Sequence, residues 1–165
     1  MMRRTFAVSL AFILTMYGVA AYAACSDPPA MGVDWGRCYL EEQNLTGANL
    51  EGANLREARF NRANLTGAIL RKAVIRRAKF DSANLTDVNL ENADLKEADF
   101  TLAVMHNAHM AGADLRRARL FRADLRGADL TGAKLELTDM LNADLTGATW
   151  TNGKRCGEGS ISQCK

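Results

Sequence analysis

From Leu40 to Trp150 every fifth residue is apolar: 23 positions carry Leu, Ile, Met, Phe or Trp, and the register never slips. Two places before each of them the residue is Ala in 19 of the 23 cases, the exceptions being Cys38, Gln43, Val88 and Thr138. Neither common element accommodates this beat. On an α-helix five residues advance the side chain by about 500°, a net 140°, so the apolar positions spiral around the helix instead of forming a stripe. On a flat strand an odd period sends successive apolar residues to opposite faces. All 23 are buried together only if the chain turns once per repeat and each apolar residue points back to a common axis. The unbroken register also leaves no room for a linker or a domain boundary inside the array.

The pattern therefore predicts a coil with one short side per pentapeptide, the central apolar residue and the preceding Ala facing inward and the other three positions outward. Ala must be small because the interior is narrow. Gly47, Gly52, Gly67, Gly112, Gly127, Gly132 and Gly147 share one frame position, which marks a corner with unusual backbone angles. Phe60, Phe80 and Phe100 are spaced by 20 residues. Four sides per turn would stack them in one column, with aromatic contact along the axis.

The repeat resembles the pentapeptide-repeat family, whose motif is A-[DN]-L-x-x. "ANL" occurs at 48–50, 53–55, 63–65 and 83–85, and "ADL" at 93–95, 113–115, 123–125, 128–130 and 143–145. The resemblance covers residues 38–152 and implies an all-β fold, a right-handed quadrilateral β-helix of about six coils, roughly 28 Å long at the usual strand spacing. The ends of such a solenoid expose unpaired backbone and open core, so caps are expected at 25–37, where Val33 and Trp35 are apolar enough to plug the end, and at 153–165.

Ahead of the array, Arg3 and Arg4 precede an apolar run from Phe6 to Met16 and small residues around Ala21 and Ala23, the plan of a signal peptide over residues 1–24. Periplasmic or secreted localisation follows. "YAAC" before Ser26 resembles a lipobox, but Tyr22 stands where Leu is usual, so lipid attachment at Cys25 is the weaker reading. Cys25, Cys38, Cys156 and Cys164 are an even set in an oxidising compartment and read as two disulfides, whereas a zinc site would need closer spacing. The solenoid separates Cys38 from Cys156 by more than about 20 Å, well beyond disulfide reach. The expected pairs are Cys25–Cys38 and Cys156–Cys164, each stapling one end.

Without the leader the chain carries 19 basic and 19 acidic residues, because Arg3 and Arg4 are the only charges among residues 1–24. Folding at 20 residues sets Arg56, Arg76, Lys96 and Arg116 in one column. Glu57, Arg77, Glu97 and Arg117 stand beside it, then Arg59, Lys79, Asp99 and Arg119. These nine bases and three acids are a candidate binding edge for an anionic envelope component such as lipid or polysaccharide, set against the plainer reading of a solvated face relieved by its own acids. Leu102, Phe121, Leu137 and Leu141 take outward positions in the last coils and form a candidate apolar contact for a protein partner or a second copy. Family members that dimerise end to end use this region. His106 and His109 lack a third metal ligand, and Asp124 and Asp144 belong to the fold motif. No nucleophile–base constellation and no phosphate loop is present, so no enzyme activity, metal or cofactor is expected. Some members of the family mimic DNA and shield topoisomerases. That role needs a strongly acidic rod, so a neutral exported chain is not expected to take it, or to bind nucleic acid.

Overall fold

The computed structural model describes residues 25–165; the leader expected at 1–24 lies outside the described residues. Each pentapeptide divides into three extended residues and a two-residue turn. Within the extended part the side chains alternate in, out, in, which places Ala and the central residue in the core with a polar residue between them. Ala53, Leu55, Ala58 and Phe60 are all fully buried, and the same holds for nearly every repeat through Leu130. The five-residue beat is thus a strand-like period of 2 interrupted by a turn of fixed length.

The turn is closed by a backbone bond from the Ala N–H back to the preceding central carbonyl, as in Ala48 N to Leu45 O at 3.0 Å. The residue before Ala has positive φ at every corner from Glu42 to Gly147, 15 times in a non-glycine residue and seven times in glycine. A positive φ confined to the third of four residues is the mark of a type II turn. The frame shared by the glycines is this corner. None of the 15 is β-branched or aromatic, because those side chains tolerate the left-handed region least.

Asn and Asp recur before the central residue because they hold the next turn. Asn84 Oδ1 accepts from Thr86 N at 3.0 Å and from Thr86 Oγ1 at 2.7 Å. Asn64 and Asp129 do the same for Thr66 and Thr131. The motif letters therefore encode a local hydrogen bond, and Asp144 serves it through Thr146 N.

Sides stack by parallel pairing of each outward residue with the residue 20 later, from Asp34 with Asn54 through Asp129 with Thr149. Each side contributes one bridge and no longer strand, since the corners interrupt pairing on both flanks. A 20-residue repeat of four-sided coils follows, and the phenylalanines form the expected column. Phe60–Phe80 and Phe80–Phe100 stack with centroids 4.9 Å and 5.0 Å apart.

The pairing begins at Asp34, inside the segment expected to be the N-terminal cap. Val33 takes an Ala position and Trp35 a central one, both buried. Cys25 and Cys38 are joined, as are Cys156 and Cys164. At the other end the chain reverses and runs antiparallel along the last coil, with Thr149 bridged to Arg155 and Asp144 to Ile161. Leu145 N and Gly147 N, which would otherwise face the open end, donate to Ser160 O and Cys156 O.

Candidate functional site

The basic edge is built from one corner and the side that follows it. Turn residues point outward by necessity, so Arg56, Arg76, Lys96 and Arg116 line one row of the corner and Glu57, Arg77, Glu97 and Arg117 the other. Arg59, Lys79, Asp99 and Arg119 are the outward residues of the adjoining side and are bridged in that order from coil to coil. All nine bases expected on the edge lie on it.

The structure adds a row of acids on the opposite flank. Asp94 and Asp114 are the outward residues of the preceding side. Arg76 Nε lies 2.5 Å from Asp94 Oδ2, and Lys96 Nζ lies 3.0 Å from Asp114 Oδ2. Arg116 grips Asp114 with two bonds, Nε to Oδ1 at 2.8 Å and Nη2 to Oδ2 at 2.7 Å. Arg77 pairs with Glu97 at 2.9 Å, Arg37 with Glu57 at 3.1 Å and Arg119 with Asp99 at 3.6 Å. The hydrogen bond from Arg116, helped by Lys96, holds the Asp114 carboxyl far below the usual carboxylate range although burial opposes it. Arg77 likewise lowers Glu97. The partners lie 18 or 20 residues apart, or two apart across a corner, so the pairing is legible only once the coil length is known.

These pairs divide the edge. Toward the C-terminal end most bases are committed to Asp94, Asp99 or Asp114. Arg56, Arg59, Lys79 and Arg117 have no acid partner among the described residues. Three of these four sit in the N-terminal coils.

Shallow cavities follow the corner. Two of them, about 240 and 350 Å³, share Lys96 and Glu97 and so form one furrow that starts at Arg56 and ends at Leu137. A third, about 340 Å³, lies across the corner and is lined by Arg37, Tyr39, Glu57, Arg59, Arg77 and Lys79. Arg37 and Tyr39 were not among the residues expected from the sequence. Folding the chain at 20 residues would have found them, since they precede Glu57 and Arg59 by one coil.

The apolar candidates separate. Leu102, Phe121 and Leu141 occupy one corner, where the Leu102 N–H donates to the Phe121 carbonyl and the Arg122 guanidinium covers the Phe121 ring. Leu137, 78% exposed, belongs to the corner before it and closes the basic furrow. His106 Nε2 lies 3.1 Å from Asp124 Oδ2, which Arg126 also holds. Among the described residues no cluster of His, Cys, Asp or Glu is arranged to hold a metal ion.

The profile of the family described as pentapeptide repeats matches in eight copies, over 36–71, 44–81, 58–96, 83–122 and 123–149, which is more than half of the chain. This chain belongs to the pentapeptide-repeat family. Among solved structures, the pentapeptide-repeat protein resembles HetL of the cyanobacterium Nostoc sp. strain PCC 7120, a protein involved in heterocyst differentiation regulation, at 32% identity and a TM-score of 0.56. The match covers 76% of this chain, which spans only 62% of HetL. It also resembles Rfr23 of the cyanobacterium Cyanothece 51142 at 26% identity and a TM-score of 0.63, over 71% of this chain and 90% of that one. No curated protein matches the chain. The shared architecture of the family, a right-handed β-helix, is that of this protein.

Proposed function

We propose that this pentapeptide-repeat protein is an exported, non-enzymatic β-helical rod of about six coils, closed by the segment ahead of Val33 and by 153–165, that binds or scaffolds an anionic component of the cell envelope through its basic edge. The carrying observation is the gathering of nine bases on one corner and its adjoining side, where Arg56, Arg59 and Lys79 in the first coils have no acid partner among the described residues. Export is supported by the leader-like residues 1–24 and by the two disulfides, which suit an oxidising compartment. Among the described residues no helix is long and apolar enough to cross a membrane. Proteins of this family generally act as structural or binding proteins. A DNA-mimicking role fits poorly, because residues 25–165 hold as many bases as acids. The test has two parts. Cell fractionation should place the protein outside the cytosol, and a pull-down with envelope polyanions should weaken with salt and with the triple change of Arg56, Arg76 and Arg116 to Ser. Equal capture by the triple variant rejects the edge, and a cytosolic pool alone rejects export.

Self-association through the C-terminal end is a second reading with its own support. The reversing tail bonds to residues 142–150 but not to the two preceding sides of the last coil. There the N–H groups of Leu135, Leu137 and Met140 have no backbone partner among the described residues, and Leu135 and Met140 are only partly buried. An open edge beside exposed Leu137 and Leu141 is a surface that a second copy could cover.

A further inference from the structure

We infer that the cavity at Tyr39 is a subsite for an acidic polysaccharide, one that seats uronate carboxylates on Arg59 and Lys79 while the sugar chain runs along the rod. The inference rests on the basic-edge reading and adds to it the ligand class and the place of strongest contact. The cavity is lined by four bases, Arg37, Arg59, Arg77 and Lys79, against one acid, Glu57. The furrow across the corner is more balanced, with Lys96, Arg116 and Arg117 facing Glu97 and Glu136 at its C-terminal end. There an incoming anion must compete with Asp114, which already holds Arg116 by two bonds. At Arg59 and Lys79 it meets bases with no acid partner among the described residues.

Geometry favours a linear polymer. Tyr39, Arg59 and Lys79 are consecutive rungs of one parallel ladder. They therefore stand in a line along the axis, each about 4.8 Å from the next. A polyuronate carries one carboxylate per sugar, turned to a different side of the chain from one sugar to the next, so the long side chains of Arg59 and Lys79 take carboxylates of neighbouring sugars from a chain laid along the ladder. The Arg59 guanidinium lies 4.7 Å from the centroid of the Tyr39 ring, which holds its planar fork in place before any ligand arrives. Tyr39 itself remains 68% exposed, leaving ring surface for the apolar face of a pyranose. A lipid bilayer is the poorer fit. The exposed leucines that could insert into it, Leu102, Leu137 and Leu141, lie in later coils.

The test is calorimetric titration of the purified protein with polygalacturonate, with its neutral methyl ester, and with phosphatidylglycerol vesicles. Polygalacturonate should bind and its methyl ester should not. Tyr39→Ala and the double variant Arg59→Ser with Lys79→Ser should each weaken polygalacturonate binding by about tenfold or more. Lys72→Ser with Lys154→Ser, an equal charge change off the edge, should alter it by less than about twofold. Melting curves matching the parent protein show that each variant is folded. A Tyr39→Ala variant that binds like the parent, or equal losses from both double variants, overturns the subsite. Vesicle binding without polygalacturonate binding also overturns it while leaving the basic-edge reading intact. Binding to neither removes both.

Discussion

Phe80 lies between two rings, stacked on Phe60 with the planes 6° apart and on Phe100 with the planes 11° apart. The three rings lie on the inner face of one side in successive coils, so each contact ties one coil to the next in the middle of the rod. Phe80→Leu keeps an apolar residue there but removes both stacks, and should cost about 1–3 kcal/mol. Phe100→Leu loses the same volume but only one stack, and should cost less by about 0.5–1.5 kcal/mol. Urea unfolding of the two variants compares them; equal losses would mean that the column contributes nothing beyond volume.

Lys72 sits at a corner with φ 56° and forms no ion pair among the described residues. A non-glycine residue in the left-handed region costs about 1–2 kcal/mol, partly offset by the greater freedom that glycine has in the unfolded chain. Lys72→Gly should therefore raise stability by about 0.5–1 kcal/mol, and Lys72→Val should lower it by more than about 1 kcal/mol. Thermal midpoints of the pair give the sign directly.

Acid should destabilise the rod in a definite window. Asp114 is lowered chiefly by its bond from Arg116, and Asp129 by its bonds from Thr131. Burial pushes Asp124 up, but Arg126 together with His106 outweighs it, and the result again lies below the ordinary value of 3.8. A carboxyl lowered in the folded state contributes fully above its unfolded pKa, and that contribution is lost as pH falls toward the folded one. Stability should be flat with respect to these groups above about pH 5 and fall as pH drops through and below 3.8. Asp114→Asn should be less stable at neutral pH and show a shallower acid decline, read from melting curves between pH 7 and pH 2.

The Cys156–Cys164 bond closes the tail that covers one half of the last coil. Changing both residues to Ser should cost about 2–3 kcal/mol. The loss should be local, with faster hydrogen exchange at the Leu145, Gly147 and Trp150 amides, which bond to the tail, than at Leu85 or Leu90 in the middle coils. Uniform acceleration along the rod would contradict this.

Self-association predicts a concentration-dependent sedimentation coefficient that Leu137→Glu with Leu141→Glu abolishes, since both leucines flank the unpaired edge. A single monomeric species at high concentration would remove the dimer.

The unbroken spacing from Leu40 to Trp150 was enough to derive a coil that turns once per repeat around an Ala-lined interior, while its four sides, and with them the phenylalanine column and the two disulfide pairs, followed from the resemblance to the pentapeptide-repeat family together with the 20-residue spacing of Phe60, Phe80 and Phe100. Each rests on a period, and in a solenoid a fixed period converts sequence separation into spatial position. The nine bases of the edge were legible for the same reason. Three features needed the folded chain. Where regular pairing begins is set by Asp34 meeting Asn54; Asn54 belongs to an ANL motif, but Asp34 sits between Val33 and Trp35, which do not match the motif's Ala and Leu. The course of the tail depends on antiparallel bonds made outside the repeat, where no period applies. The division of the edge depends on which side chains reach each other across a corner: Asp94 and Asp114 pair with Arg76, Lys96 and Arg116, while Arg59 and Lys79, around Tyr39, have no acid partner among the described residues. The sequence by itself settled which positions of the array face inward and which outward. Only the tertiary structure decided which charges cancel, because that depends on distances of a few ångströms between long side chains on neighbouring coils.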